Sequence, residues 1–566
     1  MTFSLVAAIK KNLNFIAILL VITVIGYIFS LSNSFVWDDE QFIYNNEYVK
    51  NFQIKKILTE NTVAGAGETS TYYRPLTTLS FAFDHAIWGL NPFGFHLTNT
   101  LLHLGTGLFL FFYLRILRFS RITSLVISSI FLIHPLQTEA VVYANSRGDS
   151  MYSFWAMLSL LSYALLLIKK YPKIIIYDLE LTYGKIALFC TTIFGYAFAI
   201  LSKEIGIATL GLLAISLLFV NIQNKKVSFK TVLQKTLENK LATVTVLTTI
   251  LIACLYLFFR TSIIAIPTTQ NQFFAGTSYG ESMYVRLHTF TQAIWTYFGL
   301  IIVPYPLHME RTLAILEQPV STYLIATIVL CISLGFFSVL EYKKSKTIYI
   351  AFGTMWFFSM LVPVSGIIPV NGFIYEHWLY LPIIGFCIAL YGLFNTVTPR
   401  KYIDPLKNVL QGILILILFL YSILTIRQNY IWGDPIRFYN YTLQFSQSAR
   451  LHNNLAMAYA ENGDYQNAIE QYTKAIALGD YYPQSHHNLG NTYLAIGEVE
   501  LAKKEFSTAI RMNENFMPSY IPLIKIFLQE QSYENAITLV DKLIATSPQN
   551  IELQNLRSQI KELQQK

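Results

Sequence analysis

Residues 13–46 read LNFIAILLVITVIGYIFSLSNSFVWDDEQFIYNN: a membrane-length apolar run from Leu13 to Leu31, followed almost at once by Asp38, Asp39 and Glu40. Carboxylates so close to hydrocarbon are costly unless they stand at the water boundary and act there. Lys10 and Lys11 precede the run, as they would in a secretory signal. The run is longer than the apolar core of about 7–15 residues that a signal peptide carries, so it reads as a retained first span.

The rest of the chain agrees with a membrane reading. Of 566 residues 54% are hydrophobic and only 13% charged, with mean hydropathy +0.44. Soluble domains carry about 25% charged residues, so roughly half the usual charge is missing. The net charge of +8 is no nucleic-acid signal, because the lysines cluster between apolar runs where orientation signals belong. Cys190, Cys254, Cys331 and Cys387 all lie inside apolar runs without CxxC spacing, which argues against a disulfide framework or a zinc site.

Apolar segments of spanning length occupy 12–31, 95–114, 122–138, 151–168, 184–201, 204–221, 241–259, 321–340, 348–366, 375–394 and 409–426. The positive-inside rule assigns to the cytoplasm Lys10/Lys11, Arg115/Arg118/Arg121, Lys169/Lys170/Lys173, Lys225/Lys226/Lys230, Lys343/Lys344/Lys346 and Arg400/Lys401. Alternation between these clusters requires that 283–303, also apolar, does not cross and is instead re-entrant or interfacial. About eleven spans follow, with the start inside, the end outside, and two long segments outside: 32–94 and everything after 427.

After Trp432 the composition changes. Leu455, Tyr459, Gly463 and Ala468 recur 34 residues on as Leu489, Tyr493, Gly497 and Ala502, and a worn third copy keeps Leu523, Phe527 and Ala536 with Gln531 in place of Gly. Thirty-four residues is the tetratricopeptide period, in which small residues let two antiparallel helices approach while large ones fill the seam between repeats. His452 and His486 share that interval and read as repeat positions, not as a metal pair. The fold expectation is therefore all-α: a polytopic membrane helical bundle over 1–430, a linker at 431–448, and a tetratricopeptide-repeat solenoid of about three repeats over 449–566. The repeats offer a concave groove for a peptide, or serve as a spacer or dimerisation arm.

This topology gathers polar groups at the outer ends of the spans. Beyond the acidic triplet they are Tyr73 and Arg74 in STYYRPL; His96, Asn99 and His103, which share a helix face; His134, Glu139, Arg147 and Asp149 in HPLQTEAVVYANSRGD; Lys203 and Glu204 in LSKEIG; Arg286; and Glu376, His377 and Tyr380 in IYEHWLYLP. Cations at outer span ends run against the positive-inside bias. Taken singly, each is better explained by ion pairing: Arg147 with Asp149 or Glu139, Lys203 with Glu204. His103 and His85 read equally well as packing residues. Taken as a set that converges with an acidic pair, they read as a site.

Cations at a membrane surface suit a lipid phosphate, and a carboxylate beside it can serve as general base for an acceptor hydroxyl. A phosphate leaving group needs no proton donor, so one base and a positive cradle suffice, where a glycosidic ether needs an acid and a second carboxylate. Asp38 and Asp39 point to opposite faces if the segment is extended. One then faces the substrate while the other buttresses it, binds metal, or caps a helix starting at Asp39. No metal-ligating cluster is apparent; a divalent cation on the acidic pair is the one cofactor left open.

The acidic pair after the first span, with YYRPL, NPFGFHLTNTLLH, HPLQTEAVVYANSRGD, SKE, YEHWLYLP and the trailing repeats, resembles the transmembrane-and-tetratricopeptide-repeat O-mannosyltransferases, of the GT-C class of glycosyltransferases. The ordered set covers nearly the whole chain. The resemblance implies a multi-span core with an outward site, a polyprenyl-phosphate sugar donor, and inversion at the anomeric carbon. It implies Asp38 as base with Asp39 its motif partner, places Arg74, Arg147 and Lys203 on the family's outer surface, and puts His96, Asn99, His134 and Glu139 at family motif positions; with the outer-end groups read from the topology, the substrate-binding candidates are Tyr73, Arg74, His96, Asn99, His134, Glu139, Arg147, Lys203, Glu204, Arg286, Glu376 and His377. One departure stands out: Glu376-His377 replaces a Glu-Arg pair, and a histidine is a cation only when protonated. The segment VPYPLHMERT (303–312) also matches its counterpart poorly.

Two function classes follow. The first is an integral-membrane glycosyltransferase that moves a mannose-like hexose to Ser/Thr of exported proteins, with the repeats holding the acceptor; a variant of it modifies a glycan or lipid. The second is a non-enzymatic scaffold displaying repeats outside the membrane, which would tolerate joint loss of Asp38, Arg74 and Arg147. A transporter fits less well, because the ionisable groups gather at one face and not at the midplane.

Overall fold

The computed structural model describes residues 10–167, 181–222, 240–264, 276–370, 372–398, 400–479, 482–547 and 549–565. The lysine clusters 169–173 and 225–230 lie outside the described residues. The chain is all-helical and divides into two compact units, residues 1–434 and 435–566.

Eight described helices of the first unit are long and apolar enough to cross a membrane: Leu13–Ser32, Pro92–Ile116, Ala144–Leu167, Gly184–Ser202, Glu204–Ile222, Lys240–Ile263, Thr322–Ser345 and Asn408–Trp432. Arg121–Ile133 and Pro135–Val142, bent by 53°, make a ninth if they form one span, and Tyr349–Val364 and Pro382–Val397 are apolar but shorter. Among the described residues the eleven segments read from the sequence coincide with these helices, except that 375–394 takes in the short turn Glu376–Leu379 before the helix begins at Pro382. Residues 283–303 form the helix Met283–Ile302, which buries Arg286, His288 and Thr289 on one face and leaves Met283, Tyr284 and Leu287 exposed on the other.

With hydrocarbon outside, apolar burial does not by itself draw helices together, so close contact depends on small side chains. Helices Tyr349–Leu361 and Pro382–Val397 pack through Gly353 and Gly385, where a Cβ on Gly353 would lie 2.4 Å from the Gly385 carbonyl oxygen. Any larger residue at either position would push the pair apart.

The second unit stacks three helix pairs, Ala449–Glu461 with Tyr465–Leu478, Pro483–Ala495 with Val499–Met512, and Tyr520–Gln529 with Tyr533–Thr546, followed by Ile551–Gln565. Ala468, Tyr472 and Leu489 share one buried cluster, and Ala502, Phe506, Leu523 and Ala536 another. His452 accepts or donates to Gln471 at 2.7 Å and His486 to Glu505 at 2.6 Å, each partner nineteen residues on. Each histidine thus ties the two helices of its own pair.

The turn within each pair is left-handed: Gly463 at φ +76°, Gly497 at +83°, and Gln531 at +55°. In all three the next amide closes the helix end by bonding back five residues, Asp464 to Tyr459, Glu498 to Tyr493 and Ser532 to Phe527. The worn third repeat keeps the geometry that glycine would give at no steric cost and holds a side chain there at a cost of about 1–2 kcal/mol. Gln531→Gly is therefore expected to stabilise the third helix pair by about 1 kcal/mol, read as slower amide exchange over 520–546 in the full chain.

Candidate functional site

Asp39 organises the acidic segment, and it does so by pointing inward. Its side chain is fully buried, Oδ2 accepting from the Val36 amide at 3.0 Å and Oδ1 from the Asn145 amide at 2.7 Å. Although it immediately precedes the single helical turn Glu40–Tyr44, it makes no capping bond there, so the cap expected from sequence is replaced by a bridge between two loops. Trp37, immediately before the pair, is left-handed at φ +57°, a conformation that a bulky residue adopts only when its surroundings impose it. That twist turns Asp39 into the protein and leaves Asp38 half-buried at the rim, with its amide bonded to the Tyr143 hydroxyl at 3.1 Å.

The loop is stitched to three further elements. The Ser34 amide bonds the Gly433 carbonyl and the Asn33 side chain bonds that of Asn429, both at the end of the Arg400–Trp432 helix. His96 Nε2 meets the Asn33 carbonyl at 3.2 Å. Asn99 donates towards the carbonyls of Val141, Tyr143 and Ala144 at 3.3–3.4 Å, fixing the opposite loop. His96 and Asn99 therefore shape the backbone around the acids. Glu68, passed over in the sequence, stands within electrostatic reach of Asp38 and Glu40, so the rim is acidic.

Every cation of the predicted set has a partner from another element, and the partners differ from those read by proximity in sequence. Arg147 is fully buried: it pairs with Asp84 at 2.5 Å, donates to Asn99 Oδ1, Ser80 Oγ and the Phe95 carbonyl, and stacks over Phe81. It carries no donor to the surface and braces the Pro75–Trp88 helix against Pro92–Ile116. Lys203 pairs with Asp149 at 2.6 Å, not with Glu204. Glu204 instead takes Arg74 at 3.0 Å and the Tyr73 amide at 3.1 Å, while the Arg74 guanidinium lies 4.4 Å from the Tyr72 ring centroid. Tyr73 donates its hydroxyl to the Leu58 carbonyl.

A second group surrounds the IYEHWLYLP segment. Glu139 accepts from the His377 amide at 3.0 Å and meets its Nδ1 at 2.8 Å. Glu376 binds Arg311 at 2.7 Å and the His308 amide at 2.8 Å. Arg311 and His308 sit in VPYPLHMERT, the stretch that fits the resemblance least, and nothing in its composition marks them. His134 uses both ring nitrogens, on the Ile301 carbonyl and the Leu136 amide, and Arg286 donates to the carbonyls of Gly366, Tyr279 and Gly280. Both are structural braces away from the acidic loop. His103, between Tyr380 Oη and the Leu132 carbonyl, packs as expected.

What the structure brings together is thus narrower than the predicted list. Tyr72 packs on Phe42 of the acidic segment, in a cluster with Phe81, Phe95 and Ala144, which makes the segment carrying Arg74 a neighbour of the acidic one. Lys203 lies within Coulombic reach of Arg74, Glu204 and Glu139, so the two groups of charges are continuous. Among the described residues no three His, Cys, Asp or Glu side chains converge as a metal site.

Burial pushes the Asp39 carboxyl up to about 8, the two amide donors only partly opposing it. The folded state therefore holds its proton more tightly than the unfolded chain, whose value is 3.8, so the stability this provides is full below that value and lost as pH rises towards 8. Asp39→Asn turns an amide NH₂ on one of the two backbone donors. It is expected to lower stability by about 1–3 kcal/mol at pH 5 and to flatten the fall of melting temperature with pH that the unsubstituted protein shows up to pH 8. Arg147→Ala leaves Asp84 buried without its partner, at a cost of roughly 3–5 kcal/mol. In detergent it is expected to lose the monodisperse peak on size exclusion, with Arg147→Ala/Asp84→Ala regaining part of it.

Comparison with known proteins gives the same outline. A tetratricopeptide repeat family model matches residues 447–515. Protein O-mannosyl-transferase TMTC3 of Mus musculus is 25% identical over 82% of this chain and 51% of its own length, and protein O-mannosyl-transferase TMTC4 of Homo sapiens 25% identical over 80% and 64%. Protein O-mannosyl-transferase TMTC2 of Homo sapiens reaches 38%, over 24% of this chain and 17% of its own. The chain spans about half the length of the TMTC3 relatives it matches. The apo oligosaccharyltransferase of Archaeoglobus fulgidus superposes at TM-score 0.42 with 11% identity, over 78% of this chain and 59% of that one. Over about four fifths of its length the chain is similar to the protein O-mannosyl-transferases TMTC3 and TMTC4.

Proposed function

We propose that this protein is an integral-membrane glycosyltransferase that moves a mannose-like hexose from a polyprenyl phosphate to Ser or Thr hydroxyls of exported proteins, on the outer face and with inversion. The observation that carries the reading is the division of labour in the acidic pair. Asp39 is locked between the Val36 and Asn145 amides, and the left-handed Trp37 presents Asp38 at the rim. The relatives' names supply the transfer of mannose to protein.

In this reading the Asp38 carboxylate takes the proton of the acceptor hydroxyl as its oxygen attacks the anomeric carbon. The new C–O bond forms on the face opposite the departing phosphate, whose oxygen keeps the bonding electrons. Arg74, held by Glu204 and two residues from the Tyr72 that packs on Phe42 of the acidic segment, is the predicted cation offered to that phosphate. His377, anchored by Glu139, belongs to the adjoining charge group and would add a second cation when protonated. His96, Asn99, Arg147, His134 and Arg286 act through the backbone they brace and not through substrate. The second unit, with its repeats on the outer side, would hold the acceptor chain.

Asp38→Asn removes the base and leaves every bond of Asp39 in place. It is expected to cut transfer by about 10²–10⁴-fold, read by intact-protein mass spectrometry of exported proteins, with unchanged enzyme in the membrane. Glycosylation at the unsubstituted level would refute the assignment, and loss of a glycolipid with glycoproteins intact would redirect it to a lipid or glycan acceptor.

A further inference from the structure

In the second unit the first helices of the pairs share an amide-rich side. Ala449–Glu461 buries Leu451, Leu455 and Ala456 and leaves Asn453, Asn454 and Met457 only partly covered. Pro483–Ala495, which touches it, buries Leu489 and Gly490 and leaves His487 and Asn488 partly covered and Asn491 exposed. Thirty-four residues separate Asn453 from His487, Asn454 from Asn488 and Met457 from Asn491, so the two sides are in register along the solenoid. His487 Nδ1 meets Ser519 Oγ at 3.1 Å, and beyond it Ile521 and Lys525 continue the same positions, exposed, on Tyr520–Gln529.

Local bonds hold these amides without satisfying them. Asn453 Nδ2 donates to Asn454 Oδ1 at 3.4 Å and to Met457 Sδ at 3.6 Å, while its own Oδ1, buried, has no partner among the described residues. Gln484 donates to Asn488 Oδ1 at 3.2 Å, and the buried Asn488 Nδ2 has no partner among them either. Buried polar atoms without partners are costly, so each calls for a group that the protein itself does not supply. One is an acceptor and the other a donor, and a peptide backbone offers the complement of both. Packed helices stand about 8–10 Å apart, a distance that about three residues of extended chain cover at about 3.3 Å each. Charge agrees: ARLHNNLAMAYAE and PQSHHNLGNTYLA hold four asparagines and one arginine or lysine, Arg450, a set that suits an uncharged backbone better than a terminal carboxylate.

We infer that this side of the second unit grips an internal, extended stretch of polypeptide by its backbone. Asn453 Oδ1 accepts one peptide N–H, and Asn488 Nδ2 donates to a peptide carbonyl about three residues along. Such a grip selects chains that are unfolded over the bound stretch and reads no side-chain motif. That the gripped chain is a sugar acceptor rests on the transferase reading; the mode of grip does not.

Binding of a fluorescent peptide of five Ala-Ser-Thr repeats, C-terminally amidated, to the full chain in uncharged lipid nanodiscs tests it. Asn453→Ala and Asn488→Ala are each expected to weaken the peptide about three- to tenfold, and a scrambled order or a free C-terminus to change little. Lys504→Ala, exposed on the second helix of its pair, should also change little. The fully N-methylated peptide has carbonyls but no N–H, so it should bind more weakly, be indifferent to Asn453→Ala and still respond to Asn488→Ala. Asn453→Asp keeps an acceptor and should keep the affinity, whereas Asn488→Asp loses the donor and should not; a packing role predicts no such asymmetry, and this pair carries the test if the alanine variants fail to fold. No peptide binding by the unsubstituted protein, binding that requires a free C-terminus or one order of side chains, or equal effects of Asn453→Ala on both peptides overturns the inference. Asp38-dependent sugar transfer with peptide binding that ignores both asparagines sinks the grip and spares the transferase. Peptide binding that follows the asparagines, in a protein that transfers no sugar, does the reverse.

Discussion

A carboxyl group with no access to water holds one end of the first unit together. Asp39 joins two loops far apart in sequence by accepting the amides of Val36 and Asn145, and the bridge works only while both donors stay in place. They do so because each loop is held from behind. Asn33 and Ser34 are tied to the end of the Arg400–Trp432 helix, and the carbonyls from Val141 to Ala144 are gathered by Asn99. Asn99 in turn is oriented by Arg147, whose charge is balanced by Asp84. The chain of dependence runs from a buried ion pair, through an amide side chain, to the loop that presents Asp38.

This arrangement answers why acids follow so closely on a membrane span. A carboxyl group at that depth keeps its proton, and its oxygens still need donors. Here the buried member is met by two fixed amides, and the strained Trp37 separates its direction from that of its neighbour. Burial of one acid is the means by which the other is aimed. The ion pairs around Arg74, Lys203, Glu139 and Glu376 obey the same constraint, since each buried charge is matched from a different element. Removing one partner would therefore strand the other, which is why these pairs link helices more than they stabilise them.

Much of the architecture was legible without coordinates. Apolar runs of spanning length have few alternatives once charge is scarce, and a strict interval of 34 residues leaves little room for anything but stacked helix pairs. Even the worn repeat was visible, although only the backbone shows that Gln531 adopts the left-handed turn of Gly463 and Gly497. The candidate site was legible as a list of residues and not as an arrangement. Proximity along the chain suggested Lys203 with Glu204 and Arg147 with Asp149 or Glu139; the fold instead joins Lys203 to Asp149, Arg74 to Glu204 and Arg147 to Asp84. Asp84, Glu68 and Arg311 carry no local signal in the sequence, because each is a single charged residue without a motif around it.

The sequence by itself determined the class of the protein: a helical membrane unit with an acidic loop after its first apolar helix and a trailing solenoid, since hydropathy and period are properties of the chain. Tertiary structure alone decided which groups are spent on the fold and which remain at its surface. Ion pairing and burial depend on distances between elements, and those distances are set by helix packing rather than by position along the chain. Asp38 and Asp39 are chemically identical neighbours, and only their surroundings make one a bolt and the other a candidate base.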